Sequence, residues 1–103
     1  MRSNVRLAEA HKLITQALAL APQDPFILDS MGWVLFRQGN REEALRFLRR
    51  AYAVRPDAEI AAHLAEVLWM KGDRLEAEKL LQDELQKNPG SEILKSTLKR
   101  LKP

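Results

Sequence analysis

Gly39-Asn40 recurs as Gly72-Asp73, Ala44 as Ala77 and Pro56 as Pro89, each time 33 residues later. Ala10, Ala17 and Pro22 precede Ala44, Ala51 and Pro56 by 34. A fixed period of this size implies one supersecondary unit stacked several times, because a single unit cannot bury its apolar face alone. The pattern inside each period is helical, and no strand-like alternation competes with it. Prolines and glycines cut the chain at 21–25, 38–40, 55–58, 71–73 and 88–91. Between the cuts lie segments of about four turns, a normal helix length. The spacing predicts six helices, near 4–20, 25–38, 41–54, 58–71, 74–87 and 91–101.

The helix starts are marked. Asp24 precedes Pro25, a capping residue before a proline whose missing N–H is no loss at the first helical position. Asn40 with Glu43, and Asp73 with Glu76, have the spacing at which cap and glutamate satisfy two orphan backbone donors reciprocally. Asp57 and Ser91 are simple caps.

Gly32 does not fit this account unaided. It stands inside the apolar run from Met31 to Phe36, where glycine costs about 1 kcal/mol against alanine. A close approach of two helix backbones explains it. The register sets Gly32 against Ala44 on the next helix, and Ala65 against Ala77 one period later. Burial of one leucine-sized side chain, worth roughly 1.5–3 kcal/mol, offsets the propensity loss.

Large–two spaces–large–small–two spaces–large stands at Leu28, Met31, Gly32 and Leu35, and again at Ala61, Leu64, Ala65 and Leu68. A second motif stands at Ala44, Leu48, Ala51 and Pro56, then at Ala77, Leu81, Glu84 and Pro89, and earlier at Ala10, Ile14, Ala17 and Pro22. Together they resemble the tetratricopeptide repeat family over nearly the whole chain. Aliphatics replace several aromatic anchors of the family pattern, and Glu84 replaces its usual alanine. The resemblance implies an all-α, right-handed superhelical array of helical hairpins in a single domain. It divides the chain into the second helix of a truncated repeat (4–22), two repeats (25–57 and 58–90) and a C-terminal capping helix (91–103). Ile93, Leu94, Leu98 and Leu101 lie on one side of that last helix, and Lys95, Lys99, Arg100 and Lys102 give it a polar outer face. Such a cap keeps an open array soluble, and a natural C-terminus is expected here.

Cysteine is absent, so neither a disulfide nor a thiolate metal site is available. A net charge of +3, with 30% charged residues of both signs, describes a solvated surface better than a nucleic-acid footprint. There is no Gly-x-Ser-x-Gly elbow and no phosphate-binding glycine loop. His63 and Glu66 share a helix face, but no third ligand converges to make a metal site. No catalytic residue, cofactor or metal is expected. The start of the chain lacks the apolar segment of a signal peptide, and no run approaches membrane-spanning length.

Tetratricopeptide arrays bind peptides or proteins on a concave face built mostly from first helices. Carried over residue by residue, that surface comprises Asp29, Trp33, Phe36 and Arg37, then Ala62, His63, Glu66, Trp69 and Met70, with Ser96 and Arg100 extending it. Asp29, Trp33, Ala62 and Glu66 occupy places where chaperone-binding relatives carry the lysine and asparagine of a carboxylate clamp, so no clamp is expected. Trp33 is the leading contact, since tryptophan is enriched among binding hot spots.

"DSMGWVLFRQGN" and "AEIAAHLAEVLWMKGD" are similar to the C-terminal repeats of bacterial tetratricopeptide proteins. These include outer-membrane lipoproteins, one of which is an adaptor delivering substrates to a periplasmic carboxyl-terminal processing protease. That resemblance implies a non-catalytic scaffold whose partners are a protease and its substrates, facing the periplasm. A family member without such an anchor is expected in the cytoplasm. The alternative is a structural or oligomerisation segment that extends a longer solenoid, the ligand being bound elsewhere. The stripe Ala10, Ile14 and Ala17 is expected to lie bare for want of its first helix, which gives the fragment a route to a homodimer.

Overall fold

The computed structural model describes residues 2–103, with side chains from Val5 onward. Six α-helices run among them: α1 (Arg2–Leu20), α2 (Pro25–Arg37), α3 (Arg41–Val54), α4 (Ala58–Lys71), α5 (Arg74–Lys87) and α6 (Glu92–Leu101). Asp24 caps α2 by accepting from the backbone N–H groups of Phe26 and Ile27, and Pro25 takes the first turn. Asp57 accepts from Glu59 and Ile60 to start α4, and Ser91 accepts from Leu94 to start α6.

The starts of α3 and α5 differ from expectation. Neither Asn40 nor Asp73 makes a side-chain cap bond. Their ψ angles of 76° and 61° fall short of the extended backbone that Asp24, Asp57 and Ser91 take as caps. Gly39 and Gly72 take positive φ angles of 89° and 108°, conformations that favour glycine. The N–H of Asn40 then reaches back to the carbonyl of Leu35, and that of Asp73 to Leu68. This is the helix-ending motif in which the residue after the left-handed glycine closes a long loop. It occupies the donor that Glu43 or Glu76 would have met in a reciprocal cap. The two glutamates turn to arginines instead, Glu43 to Arg46 at 2.6 Å and Glu76 to Arg49 at 2.8 Å.

Hairpins α2/α3 and α4/α5 stack in sequence. α1 packs on α2, and α6 closes over α4 and α5. The layers are unequal. α2 approaches α4 and α4 approaches α6, but among the described residues no Cα of α3 comes within 8 Å of α5. An array whose first helices touch while its second helices splay is curved, with α2, α4 and α6 on the inside. It is an open array: among the described residues α1 and α6 do not meet.

The core runs along the middle of the stack through Met31, Leu35, Leu45, Leu48, Leu64, Leu68, Leu81 and Leu94. Leu28, Ala51 and Ile60 form a smaller cluster beside it. Ala44, Ala51, Ala65 and Ala77 are fully buried. Gly32 is buried too, but the side chain nearest its Cβ position is that of Leu48 rather than the methyl of Ala44. A Cβ built on Gly32 would stand 2.6 Å from Cγ of Leu48 and 3.2 Å from the carbonyl oxygen of Ala44. The space a side chain would need is filled by a leucine and a backbone oxygen, and this is why α2 carries glycine there.

α1 lacks a neighbour on one side. The stripe Ala10, Ile14 and Ala17 is nevertheless not bare as expected but half-buried, with Ile14 packed against the core, whereas Ala44, Leu48 and Ala51, in the same register on α3, are fully buried. Leu13 and Leu20 on the same helix are exposed.

Candidate concave binding face

α2 and α4 place the candidate residues by helical periodicity, and their contacts sort them into two groups. The first group is tied within the array. Asp29 is buried, and its Oδ1 accepts a 2.9 Å hydrogen bond from Nδ1 of His63 on α4. The His63 ring stacks on the indole of Trp33, centroids 4.4 Å apart at 27°. Phe36 lies tilted against the other partner of that stack, 5.2 Å from Trp33. Trp33 and Phe36 are half-buried and pack against the core. Glu66 is paired with Arg100 of α6 at 2.5 Å. Ala62 is buried and offers no surface. The second group faces solvent: Arg37, Met70 and Ser96 are exposed. Trp69 is half-buried with the Arg74 guanidinium 5.1 Å over its ring.

The electrostatics follow from these contacts. Burial disfavours the charged form of His63, but the hydrogen bond to Asp29, with Asp29, Glu59 and Glu66 as nearby carboxylates, raises its pKa above the ordinary histidine value. On the outer layer, the Arg49 hydrogen bond holds the Glu76 carboxyl below its usual range. Among the described residues there is no group of three or more His, Asp and Glu side chains placed to hold a metal ion, and no helix is long and apolar enough to cross a membrane.

The bridges were not anticipated as pairs. Asp29 and His63 are 34 residues apart, as are Glu66 and Arg100. Complementary polar groups one period apart on first helices are the signal that marks them. A third tie joins second helices. Tyr52 of α3 donates its hydroxyl proton to Oε1 of Glu84 on α5. Glu84 is 1% exposed, Lys87 approaches the same oxygen at 3.7 Å, and Oε2 makes no hydrogen bond within the described chain. Burial first, and then the glutamate, hold the Tyr52 proton well above the usual phenol range.

Stacked helical hairpins with an inner layer of touching first helices define a helical-repeat scaffold. A sequence profile of the tetratricopeptide repeat matches residues 30–92, and the chain belongs to that family. It is 54% identical over 61 residues to the TPR repeat-containing protein PA4667 of Pseudomonas aeruginosa, a match that takes in 59% of this chain and 10% of that protein. The matched segment thus spans about a tenth of the length of that relative. It superposes on the Sgt2 TPR domain from Aspergillus fumigatus with a TM-score of 0.83 and 25% identity, over 98% of this chain and 69% of the other. The six-helix, all-α hairpin array expected from the sequence is the fold observed. The family's domains are typically non-catalytic modules of protein–protein interaction.

Proposed function

We propose that this chain is the partner-binding segment of a longer tetratricopeptide array, gripping a peptide or protein on the face built from α2, α4 and α6. The repeats fall at 25–57 and 58–90, with 4–22 as the second helix of a preceding repeat and 91–103 as the cap. The observation that carries this reading is the half-buried Trp33. It is fixed by His63 on the next repeat and flanked on the same face by exposed Arg37 and Met70. An aromatic side chain held in place loses little conformational freedom on binding, which is what a hot spot requires. Asp29, His63 and Glu66 hold the face together, and Phe36 supports the Trp33 ring. Its finer form is an adaptor that brings substrates to a periplasmic protease. The resemblance to bacterial lipoprotein repeats supports it, as does a bacterial relative of which the 61 matched residues make up only 10%.

The test is a pull-down from bacterial lysate with the full-length parent, comparing wild type with Trp33→Ala and with the exposed pair Arg37→Glu/Met70→Asp. Loss of the same partners from both variants, each melting as wild type does, is the expected result. Recovery of the same proteins by all three overturns the reading.

A second reading, self-association, draws on the bare side of α1, where Leu13 is 64% and Leu20 89% exposed. Sedimentation of the fragment is expected to show a dimer that Leu13→Glu abolishes. A monomer at high concentration ends that reading.

A further inference from the structure

We infer that Asp29, His63 and Trp33 form a proton-operated joint between the two hairpins, tightening the inner layer in mild acid and slackening it in base. This goes beyond the binding reading and does not depend on it. The three groups lie where α2 meets α4, on the side of the array where first helices touch. His63 belongs to α4; Asp29 and Trp33 belong to α2. Every contact the imidazole makes with these two residues therefore crosses from one hairpin to the next.

Protonation changes both contacts in the same direction. The Nδ1 hydrogen bond, which a neutral imidazole already donates to an ionised acceptor, becomes a bond between opposite charges 2.9 Å apart, whose attraction is strengthened where water is largely excluded. The ring stacked at 4.4 Å on Trp33 becomes a cation over an indole face, an added attraction that grows where water is excluded. Both partners are mostly out of solvent, His63 with 22% and Asp29 with 11% of the side chain exposed.

The charges around the ring are few. α2 contributes Asp29, and α4 itself contributes Glu59 and Glu66. From α6, Arg100 is paired with Glu66. α3 and α5 also pack on α4, but neither supplies a charged group that acts on His63. The net field is negative and favours the imidazolium. In keeping with this, the pKa of His63 lies above its ordinary 6.5. A raised folded-state pKa means that the contribution is fully present below the unfolded value. It is lost as pH rises through the folded value. The joint therefore works above pH 6.5, within the range where histidine is a physiological switch.

The test uses the full chain with Trp69→Phe, which leaves Trp33 as its sole indole. A stacked imidazolium quenches indole emission, so Trp33 fluorescence is expected to fall as pH drops from 8.5 to 5.5, with a midpoint above 6.5. Asp29→Asn is expected to lower that midpoint, and His63→Gln to remove the transition. In parallel, amide exchange in α2 and α4, corrected for its intrinsic pH dependence, is expected to be slower at pH 6 than at pH 8 in the parent, and equal at the two in His63→Gln. Should His63→Gln fail to fold, the midpoint shift of Asp29→Asn and the exchange difference in the parent still decide. A midpoint at or below 6.5, a transition that survives His63→Gln, or α2–α4 exchange independent of pH overturns the joint.

Discussion

The two hairpins share one register and solve it with different residues. Where α2 has Gly32, α4 has Ala65; where α3 has Ala51, α5 has Glu84. In the first hairpin the inner seat is emptied to the backbone, so that Leu48 reaches the place where a Cβ would stand. In the second, the fully buried methyl group of Ala65 fills that seat. The outer seats contrast more sharply. Ala51 fills its place as one apolar group among Leu28 and Ile60. Glu84 carries a carboxyl group into the same position and is held there by Tyr52 of the other hairpin. At these two seats the first hairpin is packed by shape, while the second depends on a hydrogen bond from its neighbour. A single repeat pattern permits both, because it fixes where side chains meet and leaves open which force joins them.

The largest effect is expected at the emptied seat. Gly32→Leu should cost about 3 kcal/mol or more by overpacking against Leu48 and the Ala44 carbonyl. Urea melts measure it, and a midpoint equal to wild type would show that the first hairpin is not shape-limited. Next comes the borrowed hydrogen bond. Tyr52→Phe leaves Glu84 buried without its donor, a loss of about 1–3 kcal/mol, whereas Glu84→Gln keeps an acceptor for Tyr52 and should cost less than about 1 kcal/mol. Equal losses in thermal melts would place the cost in shape instead. The smallest effect belongs to the filled seat. Ala65→Gly should cost about 1 kcal/mol, mostly helix propensity, and a much larger loss would mean that the second hairpin is as tightly fitted as the first.

Most of the architecture was legible before any coordinates. The period, the breaks and the Asp24-Pro25 start yield the helices to within a few residues, because these features report backbone preferences that tertiary contacts reinforce. What the sequence concealed depends on which partner a group finds. Asn40 and Asp73 read as reciprocal caps, but the turns through the left-handed glycines commit their own backbone N–H groups to Leu35 and Leu68, out of reach of Glu43 and Glu76. Gly32 read as a small residue meeting a small residue, when its true neighbour is the longer Leu48. Single-helix reasoning took Asp29 and Glu66 as charges facing a partner, yet each is held by a residue 34 positions further on. Such pairings become visible only once the period is used to ask which side chains lie abreast.

The cross-ties between repeats have a mechanical meaning. Flattening the spiral must part Asp29 from His63 and Glu66 from Arg100, since both span the inner layer. Coiling it more tightly must stretch Tyr52 away from Glu84 and Arg49 from Glu76, which span the outer one. Opposed restraints on the two sides make the array a leaf spring preset to one bend, rather than a string of loose hinges.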